Sequence, residues 1–277
     1  MKEIIAKQNL SSVANNLIDK ISSAISWVAS HDTPERIALN TFIEDIQKGD
    51  YDPVTKAAFI SNAKKIIKEY ENQMDIVKVA TQFVNGNATP DKMDDDWIAQ
   101  FMDKAKLVSN KDLQFVWGKI LADECNHQGT IPKTLLHILT QMDNKDAKVF
   151  SVIRSLSVYV EDDGVQYTPI ILRKYMADYY EKMGITYDAL VNLQALGLIE
   201  MNMNADERTY VFECDKHPIT VKYYDKEYNI PQKYTYFNVG NVIFTKAGSA
   251  LCRNIEMPEK EGFFEEICIP LWKELMI

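Results

Sequence analysis

The sequence predicts a mainly α-helical protein with a C-terminal α+β domain: a helical bundle followed by a winged-helix-like domain. Three observations predict it. Apolar residues recur at spacings of three and four over much of residues 10–157, which is the helical period. After Glu161-Asp162-Asp163-Gly164 the grammar changes to two helices joined by a short turn and then a series of β-like runs. Glycine (10) and proline (9) are sparse in 277 residues, so loops do not dominate the chain.

The elements follow in order. Leu10, Val13, Leu17, Ile21, Ile25 and Val28 line one face of a first helix, opposite Asn15, Asn16, Asp19, Lys20 and Ser23. That polar face lacks the positive charge of a membrane-surface helix, so the apolar face reads as core-facing. Thr33-Pro34 caps and starts a second helix. Gly49–Pro53 is a turn cluster, and a long helix runs from Val54 to about Val84 through Phe59, Ile66, Ile67, Tyr70, Met74, Val77 and Phe83. Asn85–Pro90 is a linker. Asp94–Asp96 then opens a helix holding Trp97 and Phe101, with carboxylates at the end where the dipole favours them. Ser109 and Asp112 resemble a capping box for a helix with Leu113, Trp117, Ile120 and Leu121 on one face. Asn126–Gly129 ends it, Pro132 opens a third helix over Lys133–Met142, and Asp143 caps a fourth from about Lys145 to Ser157.

Thr168-Pro169 predicts a helix to about Met183, stopped by Gly184, and Thr186 caps another over Tyr187–Leu196, stopped by Gly197. Strands are predicted at Leu198–Met203, Thr209–Glu213, Thr220–Tyr224, Tyr234–Phe237 and Val239–Phe244. Thr245 caps a short helix to about Asn254, and Phe263–Met276 is a last amphipathic helix. The chain thus divides into an N-terminal helical region (1–90), a four-helix block (91–159) and a winged-helix-like domain (160–277).

The block from Asp95 to Leu156 resembles a bacterial family known as domain of unknown function 2806. The likeness rests on Asp-Asp-Trp97, Phe101, Trp117-Gly-Lys-Ile-Leu-Ala-x-Glu124, Thr134-Leu-Leu and Asp146-Ala-x-x-Phe150. It extends to the tail in Leu193-x-x-Leu-Gly-Leu-Ile199 and Phe244-Thr-Lys-Ala-Gly-x-x-Leu251, so it covers roughly Asp95 to the C-terminus. Where that family usually carries Pro-Gly-Ser-Phe-Ser, this chain has Gln128-Gly129-Thr130-Ile131-Pro132. The chain also looks distantly like the Abi-alpha abortive-infection family. That likeness implies a role in bacterial anti-phage defence.

Charge and cysteine usage exclude several classes. Lys plus Arg is 31 against 40 Asp plus Glu, a net charge of −9, which disfavours a generic nucleic-acid or anionic-membrane partner. Cys125, Cys214, Cys252 and Cys268 form no Cys-x-x-Cys pair and read as packed, reduced thiols of a cytoplasmic protein. Met1–Lys7 lacks a signal-peptide pattern, and no apolar run of about 18 residues spans a membrane.

Candidate chemistry is thin. Cys125-x-His127 with His137, and Cys214-x-x-His217, have irregular spacing and fall in different domains, so neither a metal nor a cofactor is expected. Asp123 and Glu124 stand at a helix C-terminus, where the dipole disfavours them; with His127 they are the weak catalytic candidates, and Lys119 is a possible local partner. In a winged helix the second helix of the turn reads DNA. Here it offers Asn192 and Gln194 but no cation; Arg173-Lys174 is the basic pair nearby, and residues 150–277 hold 13 basic against 19 acidic side chains. Tyr223, Tyr224, Tyr228, Tyr234 and Tyr236 make the strand region aromatic, either as a partner-binding face on an exposed wing or as cross-strand packing. Phosphate-loop, nucleophile-elbow and zinc-protease motifs are absent. The leading expectation is a non-enzymatic sensor or scaffold with a protein partner or self-association. A nucleic-acid-binding regulator and a metal-dependent hydrolase or nuclease at Asp123, Glu124 and His127 are the alternatives.

Overall fold

Amphipathic periodicity becomes helix packing in the first half of the chain. A computed structural model describes residues 12–25, 34–162, 165–167, 169–170, 177–201, 210–213, 219–233 and 236–275. The chain is mainly helical, with antiparallel sheets in its C-terminal half, and divides into two units, Met1–Leu136 and His137–Ile277.

In the first unit, α1 (Ser12–Ile25) buries Leu17 and Ile21 completely. It packs on α4 (Asp95–Ala105), and Lys20 reaches Asp95 at 2.6 Å. Helices α2 (Pro34–Lys48) and α3 (Pro53–Ala80) form a helical hairpin. Asp52 caps α3 by accepting the N–H groups of Val54 and Thr55, with Pro53 in the first turn where its missing N–H costs nothing. Most of the buried residues of α3 lie in its C-terminal half, including Met74, Ile76, Val77 and Ala80. That half packs on α5 (Lys111–Asn126) so closely that a Cβ on Gly118 would lie 2.5 Å from the Val79 side chain. Trp97, Phe101 and Trp117 fill the centre, with ring centroids 5.1 Å apart in each successive pair. A buried amide pair tightens the α4–α5 connection: Gln114 donates to the Val108 carbonyl at 2.8 Å, and Asn72 donates to that of Lys106 at 2.8 Å. The N-cap of α5 is Asn110, not Ser109, because the Asn110 side chain accepts from both Asp112 and Leu113 N–H.

Helix α6 (Lys133–Gln141) leads from the first unit to the second, and α7 (Asn144–Ser155) follows with the full Asp143–Asp146 capping box. The second unit has three antiparallel sheets among its described residues. One runs β2 (Val165–Tyr167), β1 (Tyr159–Asp162), β6 (Ile219–Tyr223), β7 (Lys226–Ile230). A second runs β3 (Pro169–Ile170), β9 (Val242–Phe244), β4 (Ile199–Met201), and a third pairs β5 (Tyr210–Glu213) with β8 (Tyr236–Gly240). The helices are α8 (Ala177–Glu181), α9 (Tyr187–Ala195), α10 (Lys246–Asn254) and, after a π-helical turn Phe263–Cys268, α11 (Ile269–Leu275).

One expectation is overturned, and two strands fall outside the predicted ones. Pro169 does not open a helix; it sits in edge strand β3, where a residue without an N–H is tolerated, opposite Ile243. Glu161 and Asp162 belong to strand β1, because β6 supplies a long-range partner that local propensity cannot reveal. The charged run Lys226–Ile230 is likewise a strand, with alternate residues exposed. Leu10, Val28, the Thr33 cap, Met203, Thr209 and the Thr168 position lie outside the described residues.

Candidate functional site

Among the described residues of the first unit, Glu124 is the buried carboxylate, 2% exposed near the end of α5. Its two oxygens accept the backbone N–H groups of Gly129 at 2.7 Å and Ile131 at 3.0 Å. Gly129 has φ +77°, the left-handed conformation that favours glycine and that lets the chain reverse here. Trp97 completes the clasp, its indole N–H donating to the Ile131 carbonyl at 3.1 Å. Burial pushes the Glu124 carboxyl above its usual range, while the two N–H donors pull it back. The unusual position of a carboxylate at a helix C-terminus is thereby explained: Glu124 folds the 127–132 loop.

Outside this clasp lies a shallow, open cleft of about 450 Å³, lined by Lys92, Asp94, Trp97, Glu124, Gln128 and Lys133 among others. Asp94 caps α4 through the Trp97 N–H at 2.7 Å and meets Lys133 at 3.1 Å, and this lysine holds its carboxyl below the usual range. Lys92, Asp94 and Lys133 carried no motif and were invisible as a group in the sequence; only the tertiary turn brings them together.

Asp123 and His127 form a separate pair at 2.9 Å, one helical turn apart, with His127 largely exposed. The Glu124 oxygens take no part in this pair, being engaged with the loop N–H groups. Lys119 does not serve Glu124: five residues turn a helix by about 500°, which is ~140° off alignment. Its ammonium instead lies 5.4 and 5.9 Å from the ring centroids of Phe83 and Phe115. Among the described residues no group of three or more His, Cys, Asp and Glu side chains is arranged to hold a metal. Cys125 is buried, with its thiol pushed up to about 11, and Cys214 and His217 lie outside the described residues.

In the second unit, α9 begins at Thr186, whose hydroxyl accepts the Ala189 N–H at 3.2 Å. The helix buries Ala189, Leu190 and Leu193 and exposes Asp188, Asn192, Tyr187 (56%) and Val191 (39%). The Gln194 side-chain oxygen accepts the Met201 N–H at 2.9 Å, so this amide is partly committed to β4. Arg173 and Lys174 lie outside the described residues. Sequence reasoning passed over Tyr187 and Val191, although their i, i+4 spacing along one face of the helix was a readable signal.

The tyrosine-rich hairpin is not a free wing. Tyr223 is fully buried; its hydroxyl donates to the Ser155 carbonyl at 2.6 Å, accepts the Lys260 N–H at 2.7 Å, and is pushed by burial up to about 12. Tyr223 is therefore a core residue with no surface to offer a partner. Tyr224 turns the β6–β7 hairpin at φ +55° and donates to the Met257 carbonyl at 2.8 Å, while the Arg154 guanidinium lies 5.2 Å from its ring centroid. Lys226 anchors the same hairpin to Glu259 at 3.0 Å and Glu265 at 2.9 Å. Tyr228 stacks on Trp272 at 6.3 Å. Tyr236 is in β8, and Tyr234 lies outside the described residues.

The glycine motif of the tail also has a physical basis. Gly197 follows α9 at φ +80°. The Thr245 hydroxyl donates to the Gly197 carbonyl at 2.6 Å and accepts the Gly248 N–H at 3.0 Å.

The family model described as "Protein of unknown function (DUF2806)" matches residues 61–268. No curated protein and no solved structure matches the chain.

Proposed function

We propose that this chain, which belongs to the DUF2806 family of proteins of unknown function, is a non-enzymatic sensor or scaffold that engages a protein partner through a winged-helix domain. The order α7, β3, α8, α9, β4, β9 supports the winged helix, as does a sheet in which the last strand lies between the other two. In this reading the connection from β4 to β9 is an enlarged wing containing β5 to β8. The division of the chain at residues 90 and 160 is part of the proposal.

The observation that carries it is the exposed face of α9. That helix contains no lysine or arginine and presents Tyr187, Asp188, Val191 and Asn192 to solvent. A duplex would require cations at the phosphates. An aromatic and an aliphatic side chain beside an acid instead suit a protein surface. Tyr224, exposed at the β6–β7 turn, and the half-buried Tyr228 are lesser contributors in this reading.

The setting we assign is the bacterial cytoplasm and anti-phage defence. The first is supported by three free, buried thiols at Cys125, Cys252 and Cys268, and the second by the Abi-alpha resemblance. No helix among the described residues is long and apolar enough to cross a membrane. The test is phage plating on hosts expressing Tyr187→Ala and Val191→Glu. Both variants should lose protection while keeping the wild-type melting temperature. Full protection by both would overturn the α9 reading.

A further inference from the structure

The connection between α3 and α4 carries the only Asn-Gly pair of the chain, Asn85-Gly86. Its surroundings are held at both ends. Asn126, at the end of α5, accepts the Asn85 N–H at 2.8 Å and donates to the Phe83 carbonyl at 3.0 Å. Gln128 donates to the Thr89 carbonyl at 3.1 Å. Between these anchors the Ala88 N–H closes a turn on the Asn85 carbonyl at 3.1 Å, with Gly86 and Asn87 at its central positions. Asn85 and Gly86 are both exposed, and a Cβ on Gly86 would meet no atom within 4 Å. Among the described residues, neither the Asn85 side-chain amide nor the Gly86 N–H has a hydrogen-bond partner.

We infer that Asn85 is a site of spontaneous deamidation, with water as the co-reactant. The Gly86 nitrogen gives up its proton to solvent and attacks Cγ of Asn85. The Cγ–Nδ2 bond breaks, Nδ2 takes a proton and leaves as ammonia, and a five-membered succinimide closes. Water then opens the ring at either of its two carbonyl carbons. Opening at Cγ leaves aspartate on the ordinary main chain. Opening at the former Asn85 carbonyl carbon leaves isoaspartate, whose main chain runs through Cγ and is longer by a methylene. Both routes sum to amide plus water giving carboxylic acid plus ammonia, with no change of oxidation state.

Three features favour the step at this asparagine. Gly86 has no side chain to shield the attacking nitrogen. Its N–H is not tied to an acceptor, and the leaving amide is not held by a neighbour. Other asparagines lack these features. The Asn110 oxygen accepts two backbone N–H groups, Asn126 is engaged through both its oxygen and its nitrogen, and Asn72 is buried and donates to the Lys106 carbonyl. Each of the three is also followed by a residue with a side chain. The modification acts on the turn that holds it. In isoaspartate the carbonyl that accepts the Ala88 N–H becomes a carboxylate, and the added methylene lengthens a loop whose ends Asn126 and Gln128 hold.

The experiment is peptide mass spectrometry of the full folded chain, aged in warm, mildly alkaline buffer beside the same chain aged in urea. The peptide holding Asn85 should gain the mass difference between OH and NH₂ before any other asparagine peptide of the folded chain. It should resolve into two species, one of which accepts a methyl group from S-adenosylmethionine through protein isoaspartate methyltransferase. Amide hydrogen exchange at Ala88 should be faster in the aged protein. Gly86→Val, for which the turn has room, should keep the wild-type melting temperature and lose the conversion, because its branched side chain shields the nitrogen. An Asn85 that stays intact in the folded chain while the urea-unfolded chain converts would overturn the proposal. So would conversion of Gly86→Val at the wild-type rate.

Discussion

Gly248 lies against the carbonyl oxygen of Leu198 so closely that a Cβ on it would sit 1.9 Å from that oxygen. Helix α10 and the residue just before β4 are thereby fixed together by the lack of one methyl group. Thr245, the cap of α10, ties the same corner to Gly197. The two short motifs of the tail are thus one junction, separated by nearly fifty residues of chain.

Gly248→Ala should therefore destabilise the protein by about 2 kcal/mol or more, since the atom in the way is backbone and cannot rotate aside. Urea denaturation would show it as a lower midpoint at unchanged slope.

Glu124→Gln keeps the shape of the side chain but turns an NH₂ donor towards one of two N–H donors. The buried mismatch should cost about 1–3 kcal/mol. Hydrogen exchange at the Gly129 and Ile131 amides should accelerate in the variant. Unchanged protection at both amides would contradict the clasp.

Trp117 is 1% exposed and packs on Phe101. Trp117→Ala should cost about 3–5 kcal/mol in chemical denaturation. A soluble variant of wild-type stability would place Trp117 at an interface instead.

The Asp94 carboxyl is held below its ordinary value, first by Lys133 and then by the Trp97 N–H. A lowered folded value means that its contribution to stability is present above the ordinary aspartate value of 3.8 and is lost as pH falls through the folded value. Lys133→Met should raise the Asp94 titration midpoint towards 3.8 in a carbon-detected NMR titration. An unmoved midpoint would remove Lys133 as the cause.

Much of this was legible in the chain. The caps at Asp143, Thr186 and Thr245 act locally, and each makes the side-chain bond to backbone N–H that its sequence position predicts. Trp97, Phe101, Trp117 and Leu121 are buried as helical spacing predicts. What was not legible depends on distant partners. β1 is a strand because β6 pairs with it, and Tyr223 is core because the Ser155 carbonyl accepts from its hydroxyl and the Lys260 N–H donates to it. The role of Glu124 required a loop in which Gly129 and Ile131 turn two N–H groups inward, a geometry no spacing rule announces.

The central claim is that α9 presents a surface for protein rather than for nucleic acid. Fluorescence anisotropy of a labelled DNA duplex, titrated with the full chain at about 50 mM salt, tests it most directly, because low salt favours any phosphate contact. The account predicts no saturable binding into the ~10 µM range. Saturable submicromolar binding that weakens steeply with salt and is lost in Asn192→Ala would contradict it.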